Sequence, residues 1–352
     1  MKSLSNFLRR TGGPPGAAAR PQRHPIVCRP ARPDEIHGVL RLLLAVQRQW
    51  AGNQQVLDFL TFAQQRNIDP GRLWLAEQNG KLLWAVLPIP GAGRTMLLFP
   101  PNDPPRPGVI TQAAGMLIDA VCDSYAAPNI QLAQVLLDPG DGASRRLFDS
   151  HGFARMAELI YLQAAARRSA AAPAPPPGFA LSTYSVRTHA LFAGVIVASY
   201  RDSLDCPGLN GVRDIEDVIA GHKASGEFDP NYWFVLCERD AAGDEQPRGV
   251  LLLSRMQHTD AAELVYLGVA ADSRGKKLGE WLMRQAFAAV ASMGVSRISL
   301  AVDSANAPAL QLYYRFGLAR IGSKIALMRR LDQPRQDKET TEALKHGGAF
   351  DF

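Results

Sequence analysis

Hydrophobic positions along the chain switch between a period near two and a period near 3.6, and the order of switches is the same in both halves. In the first half, Ile26 to Trp50 predicts a short strand and then, from about Pro33, an amphipathic helix. Gln54–Arg66 predicts a second helix. LWLAEQNGKLLWAVLPI predicts a hairpin turning at Asn79-Gly80. TMLLF reads as a strand, Val109–Tyr125 as a helix, Gln131–Leu137 as a strand, Ser144–Ser150 as a helix and MAELIYLQ as a strand. From Phe179 the order begins again. FALSTYS is a strand, His189–Tyr200 and Ile215–Lys223 are helices, and YWFVLCE and RGVLLLSRM are strands.

Between the halves, Ala164–Gly178 is an Ala/Pro segment that cannot build a core and predicts a semi-rigid linker. The expected layout is a disordered basic arm over residues 1–25, a domain over 26–163, the linker over 164–178, a second domain over 179–331 and a polar tail over 332–352. The halves also read as an internal repeat. HGFARMAELIYLQ lines up with FGLARIGSKIALM, and the same offset sets Asp138 on Asp303, Leu147 on Leu312 and Phe148 on Tyr313.

The chemistry concentrates in the second half. Glu263–Val269 (ELVYLGV) predicts a strand, Ala270–Lys276 a polar turn with a basic end, and apolar spacing a helix from Lys277. A basic, glycine-containing turn that opens a helix suits an anion, because the first-turn N–H groups and the macrodipole both point at it. Gly275 and Gly279 let backbone approach a diphosphate, and Arg274, Lys276 and Lys277 supply counter-charge. RISLAV follows as a strand. Asn306 then caps a helix with Pro308 in its first turn. Ala309, Leu312 and Tyr313 share a face, Gly317 ends the helix, and Leu318–Leu327 predicts a last strand.

These residues resemble the GNAT superfamily of N-acyltransferases. Arg274-x-x-Lys277-x-Gly279 stands where the family has Gln/Arg-x-x-Gly-x-Gly/Ala, with Lys277 in place of Gly. Asn306, Ala309, Leu312, Tyr313, Gly317 and Leu318 stand on its Asn-x-x-Ala-x-x-Leu-Tyr-x-x-x-Gly-Phe signature, with Leu318 in place of Phe. The resemblance implies an α/β (α+β) chain of two GNAT-like domains in tandem, each a mixed, largely antiparallel sheet flanked by helices. It implies acetyl-CoA, or another acyl-CoA, as co-substrate, no metal, and direct transfer to a primary amine on a small molecule or peptide. The implied cofactor-binding residues are Leu267, Gly268, Val269, Arg274, Gly275, Lys276, Lys277, Leu278, Gly279, Asn306, Ala309 and Tyr313. Lys277 is expected to keep φ negative, as a first helical turn demands.

Tyr313 is the candidate general acid, because a phenol can protonate a departing thiolate. Glu263, at the place of a catalytic glutamate in some family members, is the candidate general base. In Ser203–Gly211 (SLDCPGLNG), which in the family lines the acceptor site, Asp205 is a candidate to hold a cationic amine. Cys206 is a second candidate there, with no evident His partner. His222 reads as a surface helix residue. The first half lacks this chemistry: PPNDPPRPG replaces the basic loop, each proline removing an N–H, and Phe148 replaces the tyrosine. It reads as a structural or substrate-shaping half.

Composition changes little. The 352 residues suit two domains, and 47% hydrophobic with 20% charged residues is ordinary for a globular chain. A net charge of +6 is mild, and no recognition helix or stacking cluster points to nucleic acid. Four scattered cysteines predict reduced thiols in the cytoplasm, and no apolar run reaches a membrane span. The alternative on the same fold is a non-catalytic acyl-CoA-binding regulator.

Overall fold

The computed structural model describes residues 24–126, 130–166, 171–209, 211–239 and 243–333; the arm before residue 24, part of the linker and nearly all of the tail lie outside them. In the first half, β1 (Val27–Pro30), α1 (Ile36–Leu43), α2 (Asn53–Gln65), β2 (Trp74–Gln78), β3 (Lys81–Gly91), β4 (Thr95–Phe99), α3 (Val109–Ala126), β5 (Leu132–Leu137), α4 (Gly142–Ser150) and β6 (Ala154–Ala165) follow one another. The second half repeats the series as β7 (Phe179–Thr183), α5 (His189–Tyr200), α6 (Ile215–Lys223), β8 (Trp233–Arg239), β9 (Glu245–Arg255), β10 (Ala261–Val269), α7 (Leu278–Met293), β11 (Arg297–Asp303), α8 (Ala307–Arg315) and β12 (Ala319–Arg330).

The periodicity found these elements because their burial is one-sided. α7 buries Leu282, Met283, Ala286, Phe287 and Val290 on one sheet face, against Leu251, Leu253, Ala262 and Leu264. α5 and α6 cover the other face through Phe192, Val195, Ile196, Val218 and Ile219. In the first half α3 and α4 pack one face and α1 and α2 the other.

The strands form one twelve-stranded sheet in the order β1-β2-β3-β4-β5-β12-β6-β11-β10-β9-β8-β7. The halves therefore exchange their last strands. β12 pairs with β5 through Ile325–Arg330, and β6 pairs with β11 from Leu159 to Ala165. β6 and β12 pair with each other at the centre. Strand β6 runs two residues into the stretch expected to be linker, because Ala164 and Ala165 find backbone partners in Ile298 and Arg297. Farther on, the Trp281 indole N–H donates to the Ala174 carbonyl at 2.8 Å, fastening that stretch to α7.

The same local topology has a different outcome in each half. β4 and β5 pair in parallel from Thr95 to Leu98, almost the whole of β4. β10 and β11 pair only over Ala261–Glu263 and Arg297–Ser299, and then part. A bulge at Val265 in the β9–β10 register bends β10 at this point. From Leu264 onward β10 is paired on its β9 edge alone, so the backbone of its other edge faces the gap.

Candidate active site

That gap is a cavity of about 210 Å³. Leu267, Gly268 and Val269 line it from β10, Asn306, Ala309 and Tyr313 from α8, and Asp205 from the α5–α6 connection. A second cavity, about 330 Å³, adjoins it and shares Val269, Arg274, Pro308 and Leu312 with it. This one is walled by Gly275, Lys277, Leu278 and Gly279. The sequence-predicted site residues thus meet in one continuous groove, except Lys276, which is exposed beside it, and Cys206 and Glu263.

The basic loop differs from expectation at Lys277. Its φ is +62° and ψ +12°, left-handed rather than negative. The reason is that Lys277 is not in the first turn but caps it, holding the conformation a glycine would take, two residues after Gly275 at φ +81°. Gly275, Lys277 and Leu278 thus turn the chain along the wall of the groove. Gly279 serves by close approach: a Cβ there would meet Leu312 Cδ2 at 3.4 Å. Arg274 is also redirected. Its guanidinium donates to the carbonyls of Ser199 (2.9 Å) and Asp202 (3.1 Å), at the negative end of α5, so its charge is largely engaged.

Tyr313 is 6% exposed at the wall of the first cavity. Burial, and then the nearby Asp205 carboxylate, push its phenol above the usual range, so it keeps its proton at neutral and mildly alkaline pH. Asp205 accepts from the Asp303 N–H (3.2 Å) and is raised chiefly by burial. Its charge is felt by Tyr200, Tyr266 and Tyr313. Cys206 donates its backbone N–H to Asp303 Oδ2 at 3.2 Å. Burial, with Asp205 and Asp303 beside it, pushes its thiol up to about 12, which makes it unfit as a nucleophile at neutral pH.

Glu263 lies elsewhere. Alternation along β10 sends Ala262 and Leu264 into the core under α7 and Glu263 to the α5–α6 face. There it lines a third cavity of about 280 Å³ together with Tyr161. Burial raises its carboxyl, opposed by the charge of Arg66. Ala301 lines both this cavity and the one holding Tyr313, so the two cavities meet at one small residue.

The sequence reading missed Ser199, Tyr266, Tyr161 and Asp303. The Ser199 hydroxyl and Tyr266 phenol lie 2.7 Å apart at the cavity wall. Tyr266 sits in the ELVYLGV strand and was open to notice; Tyr161 lies in the other half. His222 is not a surface residue. Its ring stacks on Tyr266 at 5.4 Å, and burial, then the Arg213 charge, push it down to about 4. No group of three or more His, Cys, Asp or Glu among the described residues could hold a metal, and none of their helices is long and apolar enough to cross a membrane.

Residues 202–318 match the model of the acetyltransferase (GNAT) family. Over 209 residues the chain is 28% identical to the mycothiol acetyltransferase of Clavibacter michiganensis subsp. michiganensis (strain NCPPB 382). That match covers 56% of this chain and 61% of the relative, less than two thirds of its length. A GCN5-related N-acetyltransferase from Sphaerobacter thermophilus superposes with a TM-score of 0.55 at 17% identity, covering 89% of this chain and 97% of that one. The GCN5-related glucosamine N-acetyltransferase region of a fungal multi-domain GH3 β-N-acetylglucosaminidase gives 0.54 at 13% identity, over 89% of this chain and 39% of that one. At these identities the two structures speak for the fold.

Proposed function

We propose that this chain, whose residues 202–318 match the model of the acetyltransferase (GNAT) family, moves an acyl group from acyl-CoA, in the first instance acetyl-CoA, to a primary amine in its second half. The observation that carries the reading is the continuous groove from the left-handed basic loop to the buried, protonated Tyr313.

The residues present fit an acyl-CoA. The loop N–H groups at the start of α7 face a diphosphate. The unpaired edge of β10 at Leu267 and Val269 offers N–H and C=O groups to the amides of a pantetheine arm, and could bring a donor to the thioester oxygen. When bound, the co-substrate supplies an activated acyl carbon. Glu263, directly or through water, takes a proton from the acceptor's ammonium and passes it to solvent, so that the neutral amine attacks the acyl carbon and sheds its second proton as the amide forms. Tyr313 donates a proton to sulfur as the carbon–nitrogen bond forms and the carbon–sulfur bond breaks. Tyr313 then recovers a proton from solvent. Asp205 sets the electrostatics of Tyr313 and offers a carboxylate to an incoming cation. The first half keeps β4 and β5 zipped and has Phe148 buried edge-to-face on Phe153, which supports a structural or substrate-shaping role there.

Calorimetry with acetyl-CoA, followed by thiol release across a panel of primary amines, tests the reading. We expect a stoichiometry near one and amine-dependent thiol release. Binding near two per chain, or thiol release indifferent to every amine, would overturn it.

A further inference from the structure

The cavity that holds Glu263 is built across the exchanged strands. Backbone register places Ser254 of β9, Glu263 of β10, Ser299 of β11 and Gln163 of β6 in one row across the sheet. Tyr161 stands opposite Ala301 in the neighbouring row. Side chains at paired positions share a face, and Glu263, Ser299, Gln163 and Tyr161 all line the cavity. Ser254 is 1% exposed with its hydroxyl unpartnered among the described residues. Ser299 and Ala301 are small, so the floor is concave where the row crosses β11.

The charges in this cavity are separated. Glu263 is sunk in it, low enough for burial to raise its carboxyl and for its charge to raise Tyr161. Arg297 lies two residues before Ser299 on the same face of β11 and is exposed at the rim. It has no ion pair within 4.0 Å among the described residues; the Asp260 carboxylate senses its charge but is hydrogen-bonded by Ser296. One strand spacing across and two residues along put the two positions about 8 Å apart.

Resting on the acyl-transfer reading, we propose that this cavity is the acceptor pocket and that it takes a primary amine carrying a carboxylate or other anionic group. The amine end lies at Glu263, next to the Ala301 wall, and the anion reaches Arg297. Tyr161 and Gln163, delivered by β6 from the first half, are specificity-determining residues that touch the bound acceptor between its ends. The first half thus supplies part of the substrate site of the second.

The test uses acetyl-CoA with 6-aminohexanoate, its carboxamide and hexylamine. For the wild type we expect kcat/KM for the carboxylate to exceed that for the carboxamide by about tenfold or more, as one retained charge contact would give. Arg297→Gln should erase that preference. Tyr161→Phe should raise the acceptor KM several-fold with the acetyl-CoA Kd unchanged. Equal use of carboxylate and carboxamide by the wild type, or a preference that survives Arg297→Gln, overturns the proposal. Calorimetric binding of 6-aminohexanoate to the CoA-saturated protein separates the two readings. Binding lost in Arg297→Gln but without product supports the pocket and overturns transfer, whereas product formed with no dependence on Arg297 does the reverse.

Discussion

Replacing Lys277 with glycine should leave the protein as stable as it is or raise its stability, the reverse of a glycine placed in an ordinary helical turn. Lys277 holds φ +62° and ψ +12° immediately before α7. A side chain bearing a Cβ pays about 1–2 kcal/mol for that conformation. Glycine removes the strain but adds unfolded-state entropy worth about 0.5–1 kcal/mol. The net effect lies between about zero and 1.5 kcal/mol in favour of the variant. At a right-handed position the same change would cost about 1 kcal/mol, so the sign discriminates. Lys277→Val makes the contrast sharper, because a β-branched residue is an outlier at positive φ. Thermal unfolding of the three proteins should rank Gly at or above Lys, and Lys above Val.

Binding should move the other way. Glycine keeps the N–H geometry but removes an exposed ammonium from the groove, so acetyl-CoA should bind several-fold more weakly at low salt and nearly as well as wild type at high salt. Lys277→Glu should be far worse, since it sets like charge on the diphosphate. If Lys277→Gly unfolds well below wild type, the left-handed cap is wrong. If Lys277→Glu binds acetyl-CoA as tightly as wild type, the loop is not the diphosphate site.

Tyr313→Phe should lower turnover by roughly 10²–10⁴-fold with acetyl-CoA affinity unchanged; unchanged turnover would return Tyr313 to the core. Glu263→Gln should lower turnover and remove the acid limb of the pH–rate profile. Because burial raises this carboxyl, the wild-type rate should climb with pH through a value above the ordinary glutamate range and then level off; a limb that persists in the variant would assign the base elsewhere. Gly268→Ala should weaken acetyl-CoA binding at least tenfold, because its Cβ would meet Ser199 Oγ and Tyr266 Cε1, each at 2.8 Å; wild-type affinity would show that the groove does not carry the pantetheine arm. Cys206→Ser should keep activity, since a thiol pushed up to about 12 is not the nucleophile, and loss of activity would contradict that.

The elements were legible because nearly all carry a one-sided apolar stripe, and local signals fixed their ends. Asn306 caps α8 by accepting from the Ala309 N–H at 3.3 Å, and Gly317 leaves it at φ +83°. The basic-loop wall of the groove was legible for the same reason: its residues are nearly consecutive, so spacing carries the geometry. Three things were not. The conformation of Lys277 depends on where the helix starts to within one residue, which periodicity does not resolve. The strand exchange leaves every local pattern unchanged, because β6 and β12 have equivalent sequences and either could complete either half. The Glu263 cavity needs that exchange to exist, so Tyr161 could not be linked to Glu263 from sequence.

That equivalence bears on why the degenerate half is retained. β6 flanks β11 along its length, and β11 is one wall of the splay that opens the site. Without β6, the outer edge of β11 from Arg297 to Asp303 would lose its backbone partners, which is costly for a buried strand. β12, in turn, leaves its own half to pair with β5. An isolated second half would therefore have to return β12 to β11, carrying Ala326 and Met328, their equivalents in the repeat, where Tyr161 and Gln163 now stand. The pantetheine edge of β10 would survive that rearrangement, because it depends on β9 and the bulge at Val265. The Glu263 cavity would not, because three of its lining residues, Tyr161, Leu162 and Gln163, come from β6. On the proposed reading, cofactor binding then belongs to the second half alone, and acceptor selection to both halves together.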